Sequence, residues 1–320
     1  MTTRECKSVR NVYGNTLAEL GRENKNIVVL DADLSCSTQT KIFAKEFPER
    51  FFNVGIAEQD LMTTAAGLAC TGKTVFVSTF AMFASGRAWE QIRNTICYSN
   101  LNVKIVATHG GITVGEDGGS HQALEDISLM RSIPNMRVIV PADAIETKQA
   151  IEYAAKEYGP FYIRVSRSNL PDIFDRNNYK FNPMKANIIR EGKDITLISN
   201  GETLVETIDC ATILSEKGIS AEIISAPTVK PIDANTIINS AKKTKNVITI
   251  ENHSVIGGLG SAVCELLSEN YPVSVKRIGT NDVFGQSGKA KELMNLYGLS
   301  SEKLVHTIME YINDTAKKRI

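Results

Sequence analysis

The segment from Phe51 to Asp60 places a carboxylate, Glu58, at the point where the chain enters a helical segment. The next residues, 61–69, carry no charge and have small or apolar side chains. A helix that is apolar on every side is buried, so Glu58 is predicted on the first turn of an interior helix. A carboxylate there must be paired, protonated or in contact with a ligand. The segment alone fits a catalytic acid and an acid that satisfies free backbone N–H groups equally well.

Two of the four histidines, His109 and His121, flank a loop that follows a predicted strand. The loop contains five glycines and the acid pair Glu116 and Asp117. Glycine lets the backbone approach a ligand closely, histidine exchanges protons near neutral pH, and aspartate holds a hydroxyl or orients a histidine. The spacing matches no familiar zinc or calcium pattern, so we predict no metal site in this chain. A solvated surface loop is the alternative.

Further candidates lie at the ends of predicted strands and helices. Phe80 and Phe83 follow a strand, where their rings could stack on a planar ligand or pack in the core. Arg10, Ser37 and Arg167 also lie at element ends. Arginine binds phosphate through two parallel N–H groups, which a hydroxyl supplements, although each residue alone would also suit a solvated surface.

Short apolar runs alternate with helical segments in the first half of the chain, for example at 27–30, 74–78 and 103–108. This alternation predicts an α/β fold with a mostly parallel sheet and helices on both faces. Ligands gather at the carboxyl ends of such strands, so the polar loop holding Asp33 is another candidate site.

Segment 172–187 follows Pro171 and interrupts the alternation with Pro183, asparagines and charges, and we interpret it as a linker. A second series of strands and helices follows and predicts a smaller α/β domain. We therefore divide the chain into domains at 1–182 and 183–320.

The bulk composition excludes several classes of protein. The 320 residues contain 36 Lys and Arg against 36 Asp and Glu, so no overall field attracts nucleic acid or an anionic membrane. The six cysteines are scattered, which favours reduced thiols in the cytoplasm. We expect neither a signal peptide nor a membrane span, because no apolar run has the required length.

Taken together, these residues resemble the transketolase family of thiamine-diphosphate enzymes over nearly the whole chain. The matching motifs, in order, are Val-Gly-Ile-Ala-Glu-Gln (54–59), Ser-Thr-Phe-Ala-Met-Phe (78–83), Thr-His (108–109) with Gly-Glu-Asp-Gly-Gly-Ser-His-Gln (115–122), Ser-Arg-Ser-Asn-Leu-Pro (166–171) and Gly-Thr-Asn-Asp-Val-Phe-Gly-Gln-Ser-Gly (279–288). The resemblance is to the second half of a full-length member. It implies a pyrimidine-binding domain followed by the family's C-terminal domain.

The family's diphosphate-binding and Mg²⁺-binding segment, Gly-Asp-Gly…Asn, does not occur in this sequence. The resemblance therefore implies the C-terminal subunit of a split transketolase. An N-terminal partner subunit would bind the diphosphate of the cofactor and, for the most part, the Mg²⁺. Relatives bind the cofactor between subunits, which implies self-association into an α2β2 assembly with an interface around residues 61–68.

The resemblance also implies transfer of a two-carbon ketol unit between sugar phosphates in the pentose phosphate pathway. Glu58 would contact the aminopyrimidine of the cofactor and share a proton with it, while the cofactor takes up electrons as a carbon–carbon bond breaks. Phe83 would stack on the aminopyrimidine, Phe80 would line its pocket, and Asp33 would lie near the cofactor. The residues implied for sugar and phosphate contacts are His109, Asp117, His121, Arg10, Ser37 and Arg167, with His109 and His121 also catalytic.

One position departs from the family pattern. Many transketolases carry a tyrosine three residues after the second phenylalanine, and this chain has Gly86 there. The pyrimidine pocket is therefore expected to be more open or lined differently.

Two other thiamine-diphosphate classes and one non-catalytic role are alternatives. A 1-deoxyxylulose-5-phosphate synthase shares the motif around Glu58 but usually is one full-length chain. The β subunit of a 2-oxoacid dehydrogenase fits the length but lacks the sugar-binding loop at 115–122. A regulatory scaffold would not need Glu58, His109, Asp117 and His121 together.

Overall fold

A computed structural model describes residues 5–317. The strands, in chain order, are β1 (Cys6–Ser8), β2 (Ile27–Asp31), β3 (Phe51–Asn53), β4 (Thr74–Phe80), β5 (Val103–Thr108), β6 (Arg137–Ile139), β7 (Phe161–Val165), β8 (Asn169–Pro171), β9 (Asn187–Arg190), β10 (Ile195–Ser199), β11 (Ala221–Ser225), β12 (Thr228–Lys230), β13 (Val247–Ser254) and β14 (Val275–Thr280).

The α-helices, in chain order, are α1 (Val9–Glu23), α2 (Ser35–Thr38), α3 (Lys41–Glu46), α4 (Glu58–Cys70), α5 (Asp126–Arg131), α6 (Ala144–Lys156), α7 (Thr203–Glu216), α8 (Ala234–Thr244), α9 (Leu259–Asn270), α10 (Ala290–Leu296) and α11 (Ser301–Lys317). Short 3₁₀ helices cover Pro48–Arg50 and Ile112–Asp117. Two π-helical segments, Phe83–Arg87 and Gln91–Cys97, follow β4.

The first sheet has seven strands in the order β12-β6-β7-β5-β4-β2-β3. All of its pairings are parallel except that of β12 with β6. Helices cover both faces of this sheet. Successive side chains of a strand point to opposite faces, so a strand can pack against helices on both sides. In β4, Val75 and Val77 pack with Leu61 of α4, whereas Phe76 packs with Tyr13 of α1. The predicted α/β fold with a mostly parallel sheet is confirmed.

The second sheet has five strands in the order β14-β13-β10-β11-β9, of which only β9 is antiparallel. β9 begins at Asn187, where the expected linker ends. β12 comes from this second half of the chain but completes the edge of the first sheet. The two halves therefore share a sheet as well as a surface.

Helix α4 is buried on one side only, so the prediction of burial on every side is wrong for this chain by itself. Leu61, Met62, Ala65 and Ala66 pack in the chain's own core. Thr63 and Gly67, with Asp60 and Cys70, form an exposed stripe along the opposite side. An interface at this helix must therefore use the exposed stripe rather than the apolar side chains.

The linker packs along the start of α6 through two buried acids. Asp143 caps α6 by accepting from the Glu146 amide at 2.7 Å, and its other oxygen accepts from the Ile173 and Phe174 amides at 2.8 and 2.9 Å. The Glu146 carboxyl group accepts from the Ala142 amide at 2.8 Å and from the Tyr179 hydroxyl. The segment is thereby fixed despite its turn-rich composition.

We expect Glu146→Gln to stabilise the protein at alkaline pH. Burial raises the pKa of Glu146 to about 8, well above its ordinary value. A raised pKa in the folded state contributes stability at low pH that is lost as pH rises from about 4.5 to about 8. The free energy of unfolding of Glu146→Gln minus that of the wild type should therefore increase by about 2–4 kcal/mol as the pH rises from 5 to 9. Urea unfolding at several pH values measures this difference, and a difference that stays constant with pH would contradict it.

Candidate functional site

A cleft of about 470 Å³ opens at the carboxyl ends of the strands in the first sheet. It lies where the strand order reverses around β2 and β4, the position at which open α/β sheets bind ligands. Six of its lining residues were predicted from the sequence. The full set is Arg10, Ser37, Phe80, His109, Thr113, Asp117, Arg167, Ser168, Asn169 and Ala290.

Glu58 is the first residue of α4, and its side chain is only 2% exposed. Each of its carboxylate oxygens lies 2.9 Å from Nη1 of Arg87, whose side chain is 51% exposed. The helix N-terminus also favours a negative charge at this position. The buried carboxylate is therefore paired with a cation that can reach solvent.

The aromatic residues form one cluster beside this ion pair. The rings of Phe80 and Phe83 are nearly parallel, at an interplanar angle of 16°, with centroids 5.9 Å apart. His109 stacks on Phe80 at 3.8 Å, and His121 meets Phe83 edge-on at 5.3 Å. The Arg87 guanidinium lies 4.7 Å from the centre of the Phe83 ring. The cluster thus connects Glu58 to the cleft.

His109 is buried directly after β5, and its backbone has a positive φ of 62°. Its Nδ1 lies 2.7 Å from the Thr108 hydroxyl. Burial, together with the charges of Arg10 and Arg167 and the nearby His121, lowers the pKa of His109 to about 3. The ring is therefore neutral at physiological pH and can act as a hydrogen-bonding group without carrying a charge.

Two arginines give the cleft a positive wall. Arg10, on the first turn of α1, donates from Nη1 to the Ser37 carbonyl at 2.8 Å. Its Nε is buried and has no hydrogen-bond partner among the described residues. Arg167 also lines the cleft, with Nη1 3.3 Å from a Glu116 carboxylate oxygen. Burial lowers the pKa of Arg10, and the charge of Arg167 adds to the effect. An anion between the two cations would relieve this cost.

The two predicted aspartates differ in position. Asp117 is exposed and lines the cleft. Asp33 does not line it. Its backbone N–H and its carboxylate instead exchange hydrogen bonds of 3.0 Å with the Asn53 side chain. The buried acid of that loop is Asp31, which accepts from Thr38 and Thr40 and so fixes the turn that carries Ser37.

Sequence reasoning missed several residues of the site. Arg87 lies four residues after Phe83, one helical turn away, and this spacing could have indicated that the two side chains meet. Ser168 and Asn169 follow the predicted Arg167 directly. Ala290 reaches the cleft from α10 in the second half of the chain, and no local pattern indicates such a contact.

Two kinds of feature are absent from residues 5–317. No group of three or more His, Cys, Asp or Glu side chains in this range could hold a metal ion. Within the same range no helix combines the length and the apolar character that crossing a bilayer requires.

Two family models match the chain one after the other. The transketolase pyrimidine-binding domain matches residues 6–172, and the transketolase C-terminal domain matches residues 184–304. Together they cover most of the chain.

Curated relatives carry the same description. The chain is 55% identical to a putative transketolase C-terminal section of Methanocaldococcus jannaschii, over 95% of this chain and 96% of the relative. It is 40% identical to a 6-deoxy-6-sulfo-D-fructose transketolase subunit of a Clostridium species, over 94% of each chain. It is 39% identical to an apulose-4-phosphate transketolase subunit of Phocaeicola vulgatus, over 95% of this chain and 97% of the relative.

Solved structures show the same fold. A split gene transketolase, described as an inactive β4 tetramer, matches with a TM-score of 0.87 and 49% identity, over 96% of this chain and 98% of that one. Transketolase from Campylobacter jejuni matches with a TM-score of 0.82 at 24% identity, and this chain covers 48% of it. From the fold, the ordered motifs and both family models, we conclude that the chain belongs to the transketolase family and comprises the pyrimidine-binding and C-terminal domains of that family.

Proposed function

We propose that the chain is the C-terminal subunit of a thiamine-diphosphate-dependent transketolase. It would transfer a two-carbon ketol unit from a ketose phosphate to an aldose phosphate in the pentose phosphate pathway of the cytoplasm. One observation carries this proposal. A buried carboxylate, Glu58, lies beside stacked aromatic rings that continue into a cleft walled by Arg10 and Arg167.

The side chains around Glu58 suit an aminopyrimidine ring. Such a ring needs an aromatic surface to stack on and a buried acceptor for its N–H and ring nitrogen. Arg87 already uses both features, since its planar guanidinium donates to Glu58 and lies over Phe83. Phe83 and Phe80 would hold the pyrimidine, with Glu58 at its edge. Asp33 would support the same region from the neighbouring loop.

The cofactor, when bound with Mg²⁺, supplies a carbon nucleophile and an electron sink. Glu58 holds or shares a proton at the pyrimidine edge, in a site that excludes water. His109 is neutral and, with His121, orients the carbonyl and hydroxyl groups of the sugar. Asp117 accepts a hydrogen bond from a sugar hydroxyl. The phosphate is bound by Arg10, Ser37 and Arg167.

The chain would work only in a larger assembly. We propose that an N-terminal subunit binds the diphosphate and Mg²⁺, in an α2β2 arrangement. The M. jannaschii relative is a C-terminal section, and the β4 tetramer of the split relative is inactive, which supports both self-association and the need for a partner. The exposed stripe of α4, with the neighbouring Ile56 at 78% exposure, is the proposed surface for self-association. We keep 1–182 and 183–320 as the two domains.

Reconstitution tests the proposal. The chain is co-expressed with the N-terminal transketolase subunit of its own source, and turnover is measured with xylulose 5-phosphate and ribose 5-phosphate, thiamine diphosphate and Mg²⁺. We expect turnover by the mixture and none by either chain alone. Formation of a deoxyxylulose phosphate from pyruvate and glyceraldehyde 3-phosphate would instead support the synthase.

A different sugar pair is the second candidate function. The relatives from Clostridium and Phocaeicola are named for a sulfofructose and for apulose 4-phosphate. Arg10 and Arg167 recognise an anionic group, and a sulfonate and a phosphate both offer oxygens to guanidinium. The same assay with 6-deoxy-6-sulfofructose or apulose 4-phosphate as the donor distinguishes these substrates.

We expect Arg87→Met to tighten cofactor binding by the reconstituted complex. The guanidinium must leave Glu58 and Phe83 before a pyrimidine can take its place, and removing a competing conformation lowers the apparent Kd. The Kd for thiamine diphosphate with Mg²⁺, measured by calorimetry, should fall about 3–10-fold. Arg93→Met is the control, because Arg93 is an exposed arginine in the next π-helical segment. An unchanged Kd for Arg87→Met would show that Arg87 does not compete.

A further inference from the structure

Two of the loops that line the cleft are hydrogen-bonded to the second half of the chain. One is the loop from His109 to Gln122, and the other begins at Ser166. The hydrogen bonds that join these loops are made by two residues of the second half of the chain, Glu202 and Asn252. Neither residue lines the cleft.

Glu202 bridges the two loops with a single carboxylate. It lies just before α7, after the carboxyl end of β10. One oxygen accepts from the Thr113 hydroxyl at 2.6 Å, and the other accepts from the Ser166 hydroxyl at 2.7 Å. Thr113 lines the cleft, and Ser166 directly precedes Arg167, so this carboxylate ties together two neighbouring segments of the cleft lining.

Asn252 completes the bridge from β13. It is 3% exposed, and its Oδ1 accepts from the Ile112 amide at 2.9 Å. Its Nδ2 donates to Glu202 and lies 3.3 Å from the Thr113 hydroxyl. Its backbone carbonyl accepts from Arg164 at 3.0 Å. One buried amide thus holds the first turn after His109.

The side chain of Asn252 packs tightly against the loop. Gly111 has a φ of +82°, and the Asn252 side chain occupies the space where a β-carbon at this position would lie. Buried polar groups that lose one partner carry the full cost of desolvation, so each bond in this set depends on the others. A change at Glu202 or Asn252 must therefore displace the loops.

We propose that Glu202 and Asn252 are positioning residues for sugar-phosphate binding. They act through Thr113, Ser166 and the Ile112 amide, which they hold so that the two loops keep a fixed relative position in the cleft lining. This inference rests on the proposed function for its substrate, and on the hydrogen bonds alone for its structural part.

The test uses four variants of the full chain in the reconstituted complex: Asn252→Ala, Glu202→Ala, Glu202→Gln and the control Glu206→Ala. Glu206 lies in α7 and accepts from the Ser301 amide, so its loss weakens the second half of the chain without touching the loops. Hydrogen exchange of residues 111–114 and the KM for ribose 5-phosphate are measured for each.

We expect Asn252→Ala and Glu202→Ala to raise exchange at 111–114 and the KM by about tenfold each. Glu202→Gln keeps an acceptor for Thr113 and can donate to the Ser166 hydroxyl, so it should restore both values to within about threefold of the wild type. Glu206→Ala should change neither. Unchanged exchange in Asn252→Ala and Glu202→Ala, or equal effects from Glu206→Ala, would overturn the inference.

Ser166→Ala keeps the test decisive if Asn252→Ala or Glu202→Ala fails to fold. It removes one bond to Glu202 with a minimal change of volume, and it should raise the KM by about threefold. Added to Glu202→Gln it should show strong non-additivity, since both act on one contact. Additive effects would contradict the bridge. If the wild-type complex shows no turnover, the proposed function fails, while the exchange measurements still decide the structural part.

Discussion

Glu58→Gln is expected to lower the turnover of the reconstituted complex by about 100-fold or more, the usual contribution of a positioned acid or base. Glutamine has nearly the same shape and can still occupy the buried position at the start of α4, but it cannot take up or release a proton in this role. The carboxylate is also 2% exposed, so water cannot replace it. Steady-state rates with saturating thiamine diphosphate and Mg²⁺ measure the loss.

Glu23→Gln is the matched control for this prediction, because it makes the same chemical change. Glu23 is the exposed last residue of α1, and it lies outside both the cleft and the exposed stripe of α4. Glu23→Gln should retain turnover within about twofold, as an exposed substitution away from any site does. Circular dichroism and assembly with the partner should be normal for both variants. A Glu58→Gln complex as active as the wild type would remove Glu58 from the chemistry.

Arg167→Ala is expected to raise the KM for the sugar phosphate about 10–100-fold, the loss that follows when a charge-assisted hydrogen bond to phosphate is removed. The change in kcat should be smaller, because the phosphate is remote from the reacting carbon and is bound in the ground state as well. Arg10 lines the same cleft, so Arg10→Ala should also raise the KM for the sugar phosphate. The double variant should have a higher KM than either single variant.

Arg22→Ala serves as the control for charge. Arg22 forms an exposed ion pair with Glu46 and lies away from the cleft. Its removal subtracts the same charge and should leave the KM unchanged. Added salt should weaken the binding of the sugar phosphate to the wild type more than its binding to Arg167→Ala. Salt screens the attraction between Arg167 and the phosphate, and the variant has already lost that attraction. A KM that is equal in Arg167→Ala and Arg22→Ala would place the phosphate elsewhere.

The parallel cores of both sheets could be predicted from the sequence because they depend on local patterns. Ile27–Asp31 is apolar up to its last residue, Val103–Thr108 is apolar up to its last residue except for Lys104, and both strands are buried on both faces. Short edge strands escaped prediction, because β9 and β12 are four and three residues long and are defined by their partners. The crossing of β12 into the first sheet is a tertiary contact that no local pattern encodes.

The candidate site shows the same division. His109, Phe80, Arg10 and Arg167 could be picked out because each follows or begins a recognisable element. Asp33 was expected near the cofactor, but its side chain pairs with Asn53, a contact that depends on how β3 lies beside β2. The ion pair of Arg87 with Glu58 depends on a π-helical turn, which sequence patterns do not indicate.

The central claim is that Glu58 meets the pyrimidine of thiamine diphosphate in a site completed by a second subunit. A crystal structure of the reconstituted complex with the cofactor bound measures this directly. We predict a Glu58 carboxylate oxygen at about 2.6–3.2 Å from pyrimidine N1′, with Arg87 displaced. A Glu58 carboxylate still paired with Arg87, and farther than about 6 Å from that nitrogen, would contradict it.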